Sequence, residues 1–284
     1  MRPADQTALP ARPRRGRWFR RGLAGCGLVA AAFGVGTVAG WPVSWPFDVA
    51  ANVGGAVEAP EWRVPAAGGV RVVVLQHGLF RTGAALARLA RVLAAHGYEV
   101  LNPSYPSTRE PLAAHAARLQ AVVGERAAAG PVAAWYFVGH SMGGLVIQEY
   151  LRRADAVTPA GCVYLGTPHR GAVLADLRKH WFLFRWAMGP HAAAVLSPGA
   201  PLHAQPIPHL AASAAIAGDI GSGNAAIPGA DDGTVAVAEA TLVGARANGR
   251  VPYGHTRLAL AGAVHRAVLQ FLAVGTLPAA IETR

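Results

Sequence analysis

Six consecutive residues, Gly139-His140-Ser141-Met142-Gly143-Gly144, close the apolar run Val132–Val138 and open the helix-like stretch Met142–Arg152. Gly-x-Ser-x-Gly between a strand and a helix is the pattern of a nucleophile elbow, a strained turn that lifts a Ser hydroxyl above a sheet edge. The chemistry open to such a Ser is acyl transfer. It needs a base to take the hydroxyl proton, a group that orients the base, and two N–H donors for the oxyanion. The loop His77-Gly78-Leu79-Phe80, at the end of the strand-like run Val70–Gln76, offers the Leu79 N–H, and the residue after the nucleophile offers the Met142 N–H. His77 is assigned to holding that loop. The base is expected to be His255, in the loop Pro252-Tyr253-Gly254-His255, after a strand candidate Ala240–Val243 and before a last helix, Leu258–Leu272. His265 lies inside that helix and is left to packing or to a solvent-facing position. For the acid, Asp219, Asp231 and Asp232 compete, because an Asp-Asp-Gly tripeptide also reads as a turn.

These groups need a scaffold that brings strand ends together. From Val70 onward, apolar runs alternate with longer Ala/Leu/Arg stretches: Val70–Gln76 then Ala84–Ala95, Tyr98–Asn102 then Leu112–Arg126, Val132–Val138 then Met142–Arg152. This alternation predicts βαβ units, and hence an α/β fold with a mostly parallel sheet flanked by helices. About 45 residues separate Thr167-Pro168 from the strand near Ala214, against the roughly two to six of a plain αβ connection, which predicts a short helical cap over about 168–213. Trp181, Phe184 and Trp186 lie in it beside Arg178, Lys179 and Arg185, and they are the candidate substrate-binding residues.

The chain has 284 residues, 52% hydrophobic and 14% charged, enough for one substantial core. Residues 1–21 hold seven Arg and one Asp, so +6 of the net +11 sits in a basic tail. The rest of the chain has no clustered basic face, and Lys179 is its one lysine, which argues against nucleic acid as a partner. Cys26 and Cys162 are too few for a disulfide framework or a four-ligand zinc site, and no cofactor or metal is expected. The uncharged run Gly22–Gly40 would span ~28 Å as a helix, and the Arg residues before it place the N-terminus inside. Eleven of its 19 residues are Gly or Ala. A single-pass anchor in the cytoplasmic membrane is expected, with the domain outside, and export after signal cleavage is the alternative. Residues 41–69, with four prolines, read as a linker carrying one short strand around Glu61–Val64, and the catalytic domain is expected over residues 70–284.

Gln76-His77-Gly78-Leu79, Gly139-His140-Ser141-Met142-Gly143-Gly144 and Leu165-Gly166-Thr167-Pro168-His169-Arg170-Gly171, in this order, resemble α/β-hydrolases of the lipase and GPI inositol-deacylase-like branch. Leu196-Ser197-Pro198-Gly199 and Asp232-Gly233-Thr234-Val235 are similar to that branch too, over roughly residues 70–275. The resemblance implies an α/β-hydrolase fold and a triad of Ser141, His255 and Asp232, the Asp before Gly. It also implies hydrolysis of carboxylic esters, with lipid acyl esters as the substrate class. The same triad would serve an acyltransferase, with an alcohol in place of water. A membrane-tethered binding protein on the same fold is the non-catalytic alternative.

Overall fold

A computed structural model of the protein describes residues 69–181, 189 and 191–281. The basic tail, the Gly22–Gly40 segment, the Glu61–Val64 strand candidate, Phe184 and Trp186 lie outside the described residues.

β1 (Arg71–Gln76) and β3 (Ala134–His140) are neighbours inside a six-stranded sheet of order β2-β1-β3-β4-β5-β6, in which every pairing is parallel. The other strands are β2 (Glu99–Leu101), β4 (Pro159–Leu165), β5 (Ser213–Gly218) and β6 (Ala247–Val251). β1 shows why the sheet is covered on both sides. Its residues 72–75 are all buried, with Val72 and Val74 packing into one apolar cluster and Val73 and Leu75 into another. A strand with no solvated face is the mark of a parallel sheet between two helical layers.

α1 (Ala87–Ala95) and α7 (Gly262–Val274) bury Leu89, Leu93, Val264 and Phe271 on the Val73 side. α2 (Leu112–Ala128) and α3 (Met142–Leu151) bury Leu119, Val123, Leu145 and Ile147 on the other. The order places β2 on one side of β1 and β3 on the other, so the connection leaving β1 and the connection leaving β3 run in opposite directions. A crevice opens at such a switch point, outside the carboxyl ends of the two strands. The loop 77–81 follows β1 there, and Ser141 follows β3.

Two expectations are corrected. Ala240–Val243 is not a strand: α5 (Val237–Ala240) ends in it, and Asn248 takes both main-chain groups of Leu242 with its side-chain amide, at 2.8 and 3.0 Å. The strand is β6, Ala-Asn-Gly-Arg-Val, whose alternate residues face solvent; as an edge strand it needs little apolar surface. The helix read as Leu258–Leu272 is two, α6 (His255–Leu258) and α7, broken before Gly262. The buried His265 ring hydrogen-bonds the Ala259 carbonyl at 2.9 Å, an acceptor that an unbroken helix would give to the residue 263 N–H.

Between β4 and β5 lie α4 (Val173–Arg178), helix over 191–196, and two 3-10 turns, Pro201–Ala204 and Leu210–Ala212. Ala172, Ala175, Ala192, Ala193 and Leu196 join the core cluster that contains α2 and α3. Among the described residues no helix is long and apolar enough to cross a membrane.

Candidate active site

Ser141 is the N-cap of α3 and has φ 55° and ψ −130°. A side chain in that region is strained, and the surroundings must hold it there. They do so from both sides. The Ser141 N–H donates to Leu165 O at the end of β4, 2.9 Å away, while Ser141 O accepts from the Gly144 N–H and the Thr167 hydroxyl, both at 3.0 Å. The turn also runs against β1: a Cβ on Gly143 would lie 2.1 Å from Gln76 O, so only glycine fits.

The β1 loop crosses close above. A Cβ on Gly78 would come within 2.9 Å of the Ser141 Cβ. His77 is buried and fixed by three contacts with Tyr105: its Nε2 accepts the Tyr105 N–H at 3.1 Å, its carbonyl accepts the Tyr105 hydroxyl at 2.7 Å, and the rings stack 4.2 Å apart. With Nε2 an acceptor, Nδ1–H donates to Gly78 O at 2.9 Å. Burial, against the partly restoring Gly78 hydrogen bond, pulls the His77 pKa down to about 4, so the loop anchor is neutral. Ser107 and Ser104 hydroxyls accept the Phe80 and Gly83 N–H groups at 3.0 Å each, and Phe80 has φ 60°. Among the described residues neither the Leu79 nor the Met142 N–H has an assigned acceptor, and Met142 begins a helix, where main-chain donors lack intrahelical partners.

Asp232 lies on the loop after β5 and His255 opens α6, after β6. Asp232 Oδ2 stands 2.6 Å from His255 Nδ1, and Asp232 O accepts the His255 N–H at 2.8 Å. The other carboxylate oxygen, Oδ1, accepts the Thr234 and Val235 N–H groups at 2.9 and 2.7 Å. A carboxylate with every acceptor pointed at a donor leaves Nδ1–H facing it and His255 Nε2 as the free basic nitrogen. The β4 end passes close to this pair: a Cβ on Gly166 would come 3.1 Å from His255 Nδ1 and 3.2 Å from Asp232 Oδ2.

The two competing acids serve elsewhere. Asp231 accepts the Gly233 and Asn224 N–H groups at 2.6 and 3.2 Å and organises the turn, and Asp219 pairs with Arg250 at 2.6 Å on the surface. Trp181, 47% exposed, meets the end of α4, its N–H donating to Arg178 O and its ring 5.9 Å from the Arg178 guanidinium.

Several supporting residues escaped the sequence. Tyr105, Ser104 and Ser107 come from Asn102-Pro103-Ser104-Tyr105-Pro106-Ser107, and the density of turn residues and hydroxyls was the available signal. Arg81 spans from the β1 loop to the Thr256 hydroxyl at 2.8 Å, next to His255. Glu239 receives the Ala236 and Val173 N–H groups, joining α5 to the start of α4, and burial raises its carboxyl pKa. Among the described residues no group of three His, Cys, Asp or Glu is placed to hold a metal ion.

The alpha/beta hydrolase family matches residues 72–279. The chain belongs to that family. Its fold is shared with the mature lipase BlEst2 of Bacillus licheniformis, with a TM-score of 0.54 and 20% identity over 77% of this chain and 97% of that one. The propeptide form of the same lipase gives 0.52 and 19%, over 80% and 54% of the two chains. The phospholipase PlaB of Legionella pneumophila gives 0.50 and 17%, over 61% and 46%. No curated protein matches the chain in sequence.

Proposed function

We propose that this alpha/beta hydrolase cleaves carboxylic esters through an acyl-enzyme, with Ser141 as nucleophile, His255 as base and Asp232 as the acid that orients it. The observation that carries the reading is the double tie of Asp232 to His255, through Oδ2 to Nδ1 and through its carbonyl to the N–H, beside a Ser held at positive φ. His255 Nε2 takes the Ser141 proton as Oγ attacks the ester carbonyl. The Leu79 and Met142 N–H groups receive the oxyanion, and the proton then passes to the leaving alcohol. Water, activated by the same Nε2, attacks the acyl-enzyme and returns free Ser141.

Lipid acyl esters are the proposed substrate class. Supporting this, Leu177 and Trp181 on the cap are 55% and 47% exposed, an apolar edge suited to a lipid surface. Trp181, Phe184 and Trp186 are proposed to contact the acyl chain. The domain is proposed to lie outside the cytoplasmic membrane, held or exported by Gly22–Gly40, and reporter fusions after residue 60 test this: activity in the cytoplasm alone would refute it.

A fluorophosphonate probe together with p-nitrophenyl esters of graded chain length tests the function. Labelling of Ser141 and hydrolysis that grows with chain length are expected. An unlabelled Ser141 would sink the mechanism, and turnover restricted to acetyl and butyryl esters would sink the lipid assignment alone.

A further inference from the structure

His140 stands between the nucleophile and the base, and no step of the proposed reaction uses it. It is the last residue of β3 and is 1% exposed. Its side chain reaches two other loops of the site, those of His255 and Gly78. Its backbone leads directly into Ser141. Its Nε2 lies 2.9 Å from the carbonyl oxygen of His255. A Cβ on Gly78, in the loop that carries Leu79, would lie 3.1 Å from its Nδ1. The ring also packs on the His255 ring at 4.9 Å, tilted by 45°.

These contacts define its protonation. A carbonyl oxygen faces Nε2, so Nε2 carries the proton and donates it. Nδ1 is buried with no hydrogen-bond partner, as expected of a bare lone pair in a neutral ring. Burial first, then the nearby His255, Arg81 and His77, hold the His140 pKa well below its ordinary value. A neutral ring is the form compatible with a neighbour that must become an imidazolium in each half-reaction. A charged one 4.9 Å away would oppose the proton transfer from Ser141.

Asp232 holds the Nδ1 edge and the N–H of His255, but its contacts run toward β5 and leave the separation of His255 from the elbow undetermined. Among the described residues, the side-chain bridge from the elbow strand to His255 is the His140 hydrogen bond. We propose that His140 is a positioning residue, whose Nε2–H bond to the His255 carbonyl sets the base at reacting distance from Ser141. This rests on the serine-hydrolase reading above.

Three variants test it against simple packing. The amide of Gln extends about as far as Nε2 and keeps a donor there; that of Asn stops short, near Nδ1; Leu has no donor. His140→Gln is expected to keep most of kcat, while His140→Asn and His140→Leu lose about 10²-fold in kcat with KM unchanged, the loss expected when a reacting group is displaced by about 1 Å. If His140→Leu does not fold, the Gln and Asn pair still decides, each measured beside its thermal midpoint. Wild-type kcat in His140→Asn overturns the inference, as does a loss in His140→Gln equal to that in His140→Asn. A wild-type protein that takes no phosphonate label at Ser141 overturns the serine-hydrolase reading and the inference with it. A labelled, active wild type with insensitive His140 variants overturns the inference alone.

Discussion

Two adjacent aspartates face opposite tasks, and backbone direction decides between them. Asp231 turns its carboxylate back onto the Gly233 and Asn224 N–H groups, whereas Asp232 sends one oxygen to Thr234 and Val235 and the other to His255. In sequence both are Asp before a Gly turn, and local residue preferences cannot separate them; the family resemblance favours Asp232, and of the two carboxylates it is that of Asp232 that meets the His255 ring. Ser141 was legible without help, because a nucleophile elbow needs small residues at fixed offsets and those offsets survive in the sequence. Ser141→Ala is expected to lower kcat roughly 10⁴- to 10⁶-fold with the thermal midpoint little changed. Asp232→Asn is expected to cost about 10⁴-fold, by presenting the wrong hydrogen to Nδ1, and more than Asp231→Asn. Steady-state kinetics on one ester would check both, and the opposite order for the two aspartates would move the acid to Asp231.

At the scale of elements, the site is a meeting of strand ends held by loops whose roles are not written in hydrophobic pattern. The buried strands β1 and β3 announce themselves as apolar runs, and so do the faces of α1, α2 and α3. β6 does not, because an edge strand paired only with β5 can be built from Ala247, Asn248, Gly249 and Arg250 as long as its main chain is satisfied. The 102–111 loop is equally silent in pattern, yet Tyr105 fixes His77 and therefore the turn that presents Leu79. Tyr105→Phe leaves the buried His77 carbonyl without its donor, which is expected to cost about 1–3 kcal/mol of stability. Because that carbonyl lies two residues before Leu79, kcat should fall further than the stability loss alone would explain, with KM retained. Chemical denaturation beside kinetics measures both; a variant destabilised yet fully active would show that the Tyr105 hydroxyl supports the fold and not the oxyanion loop.

Across the whole molecule, the base at the site is accompanied by a set of buried neutral histidine rings, His77, His140 and His169 among them, that make the fold sensitive to acid. Burial and the nearby His203 take the His169 pKa down to about 3, with its Nδ1 accepting from the Gln148 amide at 2.7 Å. Burial takes His77 to about 4, and His140 is lowered as well. In the unfolded chain each of these rings takes up a proton near pH 6.5, whereas in the folded chain it stays neutral to a much lower pH. Between those limits the unfolded state binds more protons, so stability is complete above about pH 6.5 and drains away as the pH falls toward 4 and 3. Each ring contributes up to about 1.4 kcal/mol per pH unit inside its window. Replacing His169 with Gln, which retains a polar group but does not titrate, is expected to make the fall of unfolding free energy between pH 6.5 and 4.5 shallower by about that amount. It should also lower stability at pH 8, where the charge of His169 plays no part and the ring's contacts with Gln148 and Tyr164 are lost. Guanidinium titrations at a series of pH values would measure both effects. A slope identical to that of the wild type would mean that His169 is already protonated in the folded chain, and would overturn this account of its buried place against Tyr164 and Gln148.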